Sequence, residues 1–404
     1  MNFEHTRSES AQKDARGTSQ LGLRLYNERL VLSLIRRHGA LSKVELARLT
    51  GLSAQTVSVI VRQLEGDGLV IKGKPQRGKV GQPLVPFALN PDGAFSIGLK
   101  VGRRSGDLVL LDLAGKVRGT VRQSYSFPTP QEFIDFASEG IAKLVGSLTI
   151  SLRPRILGLG IAAPFELWNW QEEVGAPHDV LEAWRGFDLT AALAKLCDFP
   201  IFPCNDATAA CAAELIFGKG QSLRDFAYFY IGFFVGGGIV LNGALFQGRS
   251  GYSGAMGPLP VPGEKGPEQL IRHASTFTLE RKLAAQGRDP LMLSRDLNSW
   301  AELGPVLDEW IEETARSLAY ACLAAASIIE FEAMIIDGAT PAEVRLRIVE
   351  RTRAHLQKLD KRGVAQFDVL EGLIGTDARA LGAASLPLFA NFIIDRDILF
   401  KGTV

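Results

Sequence analysis

Between residues 24 and 71 the apolar positions fall into three short blocks at helical spacing. Leu30, Val31, Leu34 and Ile35 stripe the first block, Leu46, Ala47 and Leu49 the second, and Val57, Ile60, Val61 and Leu64 the third. The joints carry their own chemistry. Ser42 and Glu45 fit a capping box, in which hydroxyl and carboxylate satisfy orphan amides at a helix start. Gly51 suits the left-handed conformation that ends a helix, and Ser53 is placed to cap the next one. The third helix turns Gln55, Thr56, Ser58, Arg62 and Gln63 away from its apolar side, with no acid before Glu65. A DNA-recognition helix needs such a face, because phosphate repels carboxylate. The pattern predicts a helix-turn-helix; a three-helix protein-interaction module is the plainer alternative. Residues 69–71 start a β-ribbon, and 72–83 are basic and glycine-rich, including Arg77 and Lys79. That segment reads either as a wing for phosphates or a minor groove, or as a linker.

Beyond Asn90-Pro91-Asp92-Gly93 the period changes from helical to alternating. Segments 95–101, 107–113 and 116–124 read as strands separated by turns, followed by a helix over 131–147 and a strand over 156–161. The order recurs at 226–231 and 238–241, where Asn242-Gly243 predicts a type I′ hairpin turn, then a helix over 306–329 and a strand over 333–336. Two such units predict a duplicated α/β architecture with a ligand-sized cleft between its halves.

Charge sharpens this picture. The 404 residues have a net charge of +1, but residues 1–90 carry 14 Lys+Arg against 7 Asp+Glu, and the remainder 31 against 37. The positive excess coincides with the helix-turn-helix, as a phosphate-binding module requires. Cys197, Cys204, Cys211 and Cys322 form no C-x-x-C pair, so reduced thiols and a cytoplasmic location are expected. The polar N-terminus shows no signal peptide. The most apolar run, 318–329, is too short to span a bilayer and reads as a buried helix, so no membrane partner is expected.

With these landmarks in order, the chain resembles the family of repressors, open reading frames and sugar kinases known as ROK, over nearly all of residues 24–404. The motifs that carry the resemblance are Gly81-Gln82-Pro83 after the wing, Ile97-Gly98-Leu99-Lys100-Val101-Gly102, Asn205-Asp206-Ala207-Thr208-Ala209-Ala210, Gly236-Gly237-Gly238, Gly251 through Gly257, and Ile336-Asp337-Gly338. The resemblance implies a winged helix-turn-helix ahead of an actin-like, ribonuclease-H-like duplication, an α+β and α/β chain. It divides the chain into an arm (1–23), a DNA-binding domain (24–90), a first lobe (91–204) and a second lobe (205–404), whose last helix returns to the first lobe.

The departures from the family pattern bear on activity. Where its kinases read D-x-G-G-T, Lys100 takes the aspartate's place and Arg103 and Arg104 follow Gly102. A protonated lysine has no lone pair for a cation, so ATP-dependent phosphoryl transfer is not expected, although Asp206 matches the family's catalytic base. Arg103 and Arg104 read as a solvated hairpin tip, with contact to an anionic ligand as the alternative. The family's zinc-binding cysteines are replaced by a stretch from Gly257 to Gln269 without cysteine or histidine, and no metal or cofactor is expected; His273 alone reads as a surface or core histidine. Of the family's sugar-contacting residues, Asn205 and Asp206 remain, while Ala255, Pro258 and Gln269 stand at the other positions. Asn205, Asp206 and Gln269 are therefore the candidate ligand-binding residues, with helix capping as the alternative for Asn205-Asp206. Trp168, Trp170 and Trp184 lie in the segment that leads into the family's cleft, where they either stack on a sugar or pack. The resemblance implies a transcriptional regulator, of repressor type, acting on a DNA operator under a sugar-like effector, as a homodimer or homotetramer. Gln55, Thr56 and Ser58 are the base-reading candidates, and Arg62, Arg77 and Lys79 the phosphate or minor-groove candidates. A sugar kinase with a DNA-binding head, or a regulator with a non-functional pocket, are the other readings.

Overall fold

The computed structural model describes residues 20–75, 84–125, 127, 129–164 and 178–392. The first helix, α1 (Gln20–His38), begins four residues before the expected helix start at residue 24, inside the expected arm. A two-residue strand, β1 (Leu41–Ser42), leads into α2 (Lys43–Thr50) and α3 (Ala54–Gly66). The joints obey their sequence chemistry. Ser42 accepts from the Glu45 amide, and the Glu45 carboxylate accepts from the Ser42 amide at 2.8 Å. Gly51 ends α2 at φ 71°, and Ser53 accepts from the Thr56 amide at 3.1 Å. β2 (Val70–Lys72) and β3 (Pro86–Leu89) complete a three-stranded sheet in the order β1-β3-β2. Val31, Ile35, Leu46, Val57, Val61 and Leu64 fill the core of this head.

The first lobe holds β4 (Phe95–Val101), β5 (Ser105–Asp112), β6 (Val117–Ser124), α4 (Pro130–Gly146), β7 (Ile156–Ala163) and β8 (Ile201–Asn205). The next helix, α5 (Asp206–Phe217), opens the second lobe, which continues with β9 (Phe226–Ile231), β10 (Val235–Leu241) and β11 (Ala244–Leu245). A small hairpin, β12 (Pro260–Gly263) and β13 (Gly266–Gln269), precedes α6 (Thr276–Ala285) and α7 (Pro305–Ala326). Then come β14 (Ala333–Gly338), α8 (Ala342–Leu356), β15 (Asp368–Glu371) and α9 (Ala378–Phe392).

The two large sheets have one plan. In the orders β6-β5-β4-β7-β8 and β11-β10-β9-β14-β15, the first three strands are antiparallel and the last three parallel. The Asn242-Gly243 turn has φ values of 55° and 71°, the pair of positive values a type I′ hairpin demands. The apolar run predicted as a buried helix falls mainly in α7, with Leu318, Ala319, Ala321 and Cys322 fully buried. No described helix is long and apolar enough to cross a membrane.

One helix joins everything. α9 lies against α5, β4 and β7, and its far end reaches the head. Glycines make the close approach possible: a Cβ at Gly160 of β7 would overlap the Ala383 carbonyl, and one at Gly382 would overlap the Ala209 carbonyl. At the head, Arg29 of α1 donates to the Ala390 carbonyl at 2.7 Å, and Phe392 packs on the head's core. Leu69 of the head packs against Ala94, Leu111 and Leu113 of the first lobe. The connection itself is braced from both sides: Asn90 donates to the Gly68 carbonyl within the head at 2.7 Å, and Arg155 to the Asp92 carbonyl within the lobe at 3.1 Å.

Candidate DNA-reading face and interlobe cleft

The exposed side of α3 presents Gln55, Val59, Arg62 and Gln63, spaced i, i+4, i+7, i+8 on one helical face. Val59 is 59% exposed in the middle of it, a position the polar pattern did not single out. An apolar side chain there can meet a thymine methyl. Thr56 and Ser58 are half-buried at the flanks, and the Thr56 hydroxyl lies 2.8 Å from that of the capping Ser53. Arg77 and Lys79 lie outside the described residues.

The second site lies between the lobes, a cleft of about 710 Å³ lined by Lys100, Arg103, Arg104, Asp107, Arg122 and Arg379 on its charged side and by Phe233, Leu293 and Trp300 on the apolar one. That volume is within the range of small-ligand sites. Lys100 on β4 is buried and donates to Asp107 of the neighbouring β5 at 2.6 Å and to Ser105 at 2.8 Å. Asp107 also accepts from Arg122, which bridges across the lobes to Asp377 at 3.1 Å. Burial, and then the nearby Arg379, lower the Lys100 ammonium to about 8. Burial opposes the Asp107 charge, but Lys100 and Arg122 outweigh it and hold the carboxyl below its usual range.

Asn205 and Asp206 start α5; neither is among the residues that line the cleft, and Asp206 lies behind Arg379, which does. Asn205 caps the helix, its side-chain oxygen accepting from the amides of Ala207 and Thr208 at 3.1 and 3.3 Å. Asp206 accepts from the Ala207 amide at 3.0 Å and from Arg379 of α9 at 3.3 Å. Arg379 also lies over the Tyr230 ring, 5.2 Å from its centroid. Burial pulls the guanidinium down, while Tyr230, Asp206 and Asp107 together carry it above its ordinary value. The start of α9 is itself held by Asp337 of β14, whose buried carboxylate accepts from the Gly375 amide at 3.1 Å and the Tyr228 hydroxyl at 3.0 Å. Gln269 ends β13, paired with Pro260 and solvent-exposed; this ladder keeps it out of the cleft lining. Trp184 is fully buried against Phe133 and Phe187, so it packs rather than faces a ligand. Trp168 and Trp170 lie outside the described residues.

Arg103 corrects an expectation. Its guanidinium carbon sits 4.0 Å from the centroid of Phe234 and 5.3 Å from that of Phe233. These rings come from the β9–β10 turn of the opposite lobe, so the hairpin tip is an interlobe contact and not a solvated loop. The aromatic faces attract the cation and shield its apolar plane. Arg104 stacks similarly, 5.4 Å from the centroid of Phe127.

Glu280 of α6 faces the same cleft, and burial raises its carboxyl to about 7, with Arg104 opposing. Because the folded value lies above that of the unfolded chain, its protonated form stabilises the fold below about pH 4.5, and that contribution is lost as pH rises through about 7. Glu280→Gln is therefore expected to flatten the fall in unfolding temperature between pH 5 and 7.5. A parallel fall in the variant would remove Glu280 as the titrating group.

Among the described residues no cluster of three or more His, Cys, Asp and Glu is arranged to hold a metal ion. His273 is a half-buried neighbour of Glu268, 3.0 Å away.

A capped helix-turn-helix tied by its flanks to a two-lobed, duplicated domain with a ligand-sized cleft is the build of a DNA-binding transcriptional regulator. The chain belongs to the ROK family: residues 96–388 match that family, and residues 24–71 match winged helix-turn-helix DNA-binding domains. Among relatives, it is 24% identical to the xylose repressor of Bacillus subtilis, over 89% of this chain and 94% of that protein. It is 26% identical to the transcriptional dual regulator NagC of Escherichia coli, over 61% of each. Its fold matches that of a ROK transcriptional regulator homologous to the Escherichia coli MLC protein, with a TM-score of 0.66 over 94% of this chain and all of that one, at 20% identity. A ROK glucokinase from Streptomyces griseus matches over 72% of this chain and 99% of its own, with a TM-score of 0.58 at 20% identity.

Proposed function

We propose that this regulator represses carbohydrate-related genes in the cytoplasm, as a homodimer or homotetramer, and that a sugar-like effector closes the interlobe cleft to change DNA affinity. The observation that carries the regulatory reading is α9, which begins at Arg379 beside Asp206 and ends at Phe392 in the head's core. An effector that draws the lobes together bears on both ends of one helix. It shifts DNA binding only by the difference in its affinity for the two arrangements. Asp206 is the proposed effector contact, reached when Arg379, which pairs with it and lines the cleft, moves aside. Asn205 serves through the cap that fixes the start of α5, and Gln269 needs movement of the β12–β13 hairpin to take part.

The same geometry supports a non-catalytic role. Lys100, Ser105 and Asp107 of the β4–β5 hairpin and Arg122 of β6 form a connected set of charge-assisted hydrogen bonds where the family's kinases hold magnesium and phosphates. Asp107 is thereby occupied by two cations and is not available to a metal. A coupled ATP-consumption assay over a panel of sugars is expected to show no turnover. Turnover that Asp206→Asn abolishes would replace this reading with that of a kinase.

On DNA, Gln55 and Val59 are proposed to meet base edges, with Thr56 and Ser58 at the flanks. Arg62, Arg77 and Lys79 are proposed to meet phosphates. Arg62→Ala is expected to weaken operator binding and to reduce the slope of log K against log salt by about 1. An unchanged slope would take Arg62 off the phosphate list.

A further inference from the structure

A second cavity, of about 520 Å³, opens at the junction of the head and the second lobe. Its apolar wall is Leu215 and Ile216 from the end of α5, Leu241 from β10 and Phe389 from α9, while Tyr26, Ser33, Gln221 and Asn242 add polar groups at its edge. Among the described residues its charge comes from α1 alone, as Arg36 and Arg37, and none of those that line it is acidic. Arg36 is the unusual group. Its Nη1 is sealed from solvent and has no hydrogen-bond partner among the described residues. The nearest influence of opposite sign is Asp112, which already receives the Lys116 amide at 2.9 Å and Arg118 at 3.4 Å. Burial accordingly lowers the Arg36 guanidinium to about 10. A buried guanidinium nitrogen without an acceptor costs free energy; Arg36 itself lines the cavity, and a turn of its guanidinium that brings Nη1 to the opening would let an anion there recover it.

We propose that this junction cavity is a second ligand site, which takes a small amphipathic organic anion, one carboxylate, sulfonate or phosphate on an apolar body. The anionic group pairs with Arg36, and the apolar body lies on Leu215, Leu241 and Phe389. The location gives the site a consequence. α9, which begins at the cleft with Arg379, and α5, which begins beside it at Asp206, both end at this cavity, and α1 of the DNA-binding head closes it. An occupant therefore bridges head and lobe and holds one arrangement of the two. The site is separate from the interlobe cleft, so its test does not depend on a sugar binding there.

The full chain is titrated with 4-phenylbutyrate and with the neutral 4-phenylbutanamide, following bound ligand by saturation-transfer NMR and by calorimetry. The carboxylate is expected to bind at least tenfold more tightly than the amide. Arg36→Met, which keeps most of the side-chain volume, is expected to reduce that binding tenfold or more, and Ser33→Phe, which plugs the cavity from α1, to abolish it. If Arg36→Met does not fold, Ser33→Phe carries the localisation by itself. Equal binding of amide and carboxylate, no binding of either, or carboxylate binding that both variants leave intact would overturn the proposal.

Discussion

Replacing Arg379 by methionine is expected to lower the stability of the full chain by about 3 kcal/mol, the low end for breaking a buried ion pair from one side. Asp206 is left largely buried with its charge, retaining among the described residues the Ala207 amide and the favourable field at the start of α5. Tyr230 loses the cation over its ring at the same time. The loss is specific to the pair. Asp206→Asn in the Arg379→Met background should recover part of it, because the uncompensated charge is gone. A double-mutant cycle on unfolding free energies measures the coupling, expected between about 1 and 3 kcal/mol for groups in direct contact. Additive effects of the two replacements would show that the 3.3 Å contact contributes nothing.

The second large effect concerns packing. Gly382→Val is expected to cost about 3 kcal/mol or more, the upper part of the overpacking range. The added atoms would meet the backbone carbonyl of Ala209, which has no rotamer to yield, so α9 must move off α5. Because α9 ends in the head's core at Phe392, the displacement should also loosen the head. Its signature is faster amide exchange in α1 and α3 along with the lower unfolding temperature. Gly146→Ala is the control, since a methyl there meets open space; it should change stability by less than about 1 kcal/mol. Equal stability of the two variants would mean that the α5–α9 seam adjusts freely.

Local chemistry made the head readable in the sequence. The capping box of Ser42 and Glu45, the left-handed Gly51 and the cap at Ser53 each act within four residues, and each is present in the structure. The alternating segments of the two lobes were legible for the same reason, with strand ends differing by a few residues, as at β10, which starts at Val235 and not at residue 238. The cleft was far less legible. Arg103 reads locally as a polar hairpin tip, but its partners Phe233 and Phe234 lie some 130 residues along the chain. Arg379 belongs to no motif, and only the return of α9 brings it to Asp206. Asp107, Arg122 and Glu280 were missed likewise, since strand register and helix packing, not spacing, bring them together. Val59 was overlooked because an apolar residue on a polar face reads as core until the face is seen. Gly160 and Gly382 carry no sequence signal of the backbone contacts they permit.

The coupling of cleft and head is tested most directly by DNA affinity. An operator is first selected from a random duplex pool by the full chain, and its dissociation constant is then measured with and without each of a panel of sugars, sugar acids, sugar phosphates and polyols. At least one compound is expected to change the dissociation constant tenfold or more, and Asp206→Asn should remove that change while the DNA affinity of the free protein stays within about threefold, a difference of under 1 kcal/mol. Affinity that no compound alters, or a response that survives Asp206→Asn intact, would contradict control through this cleft.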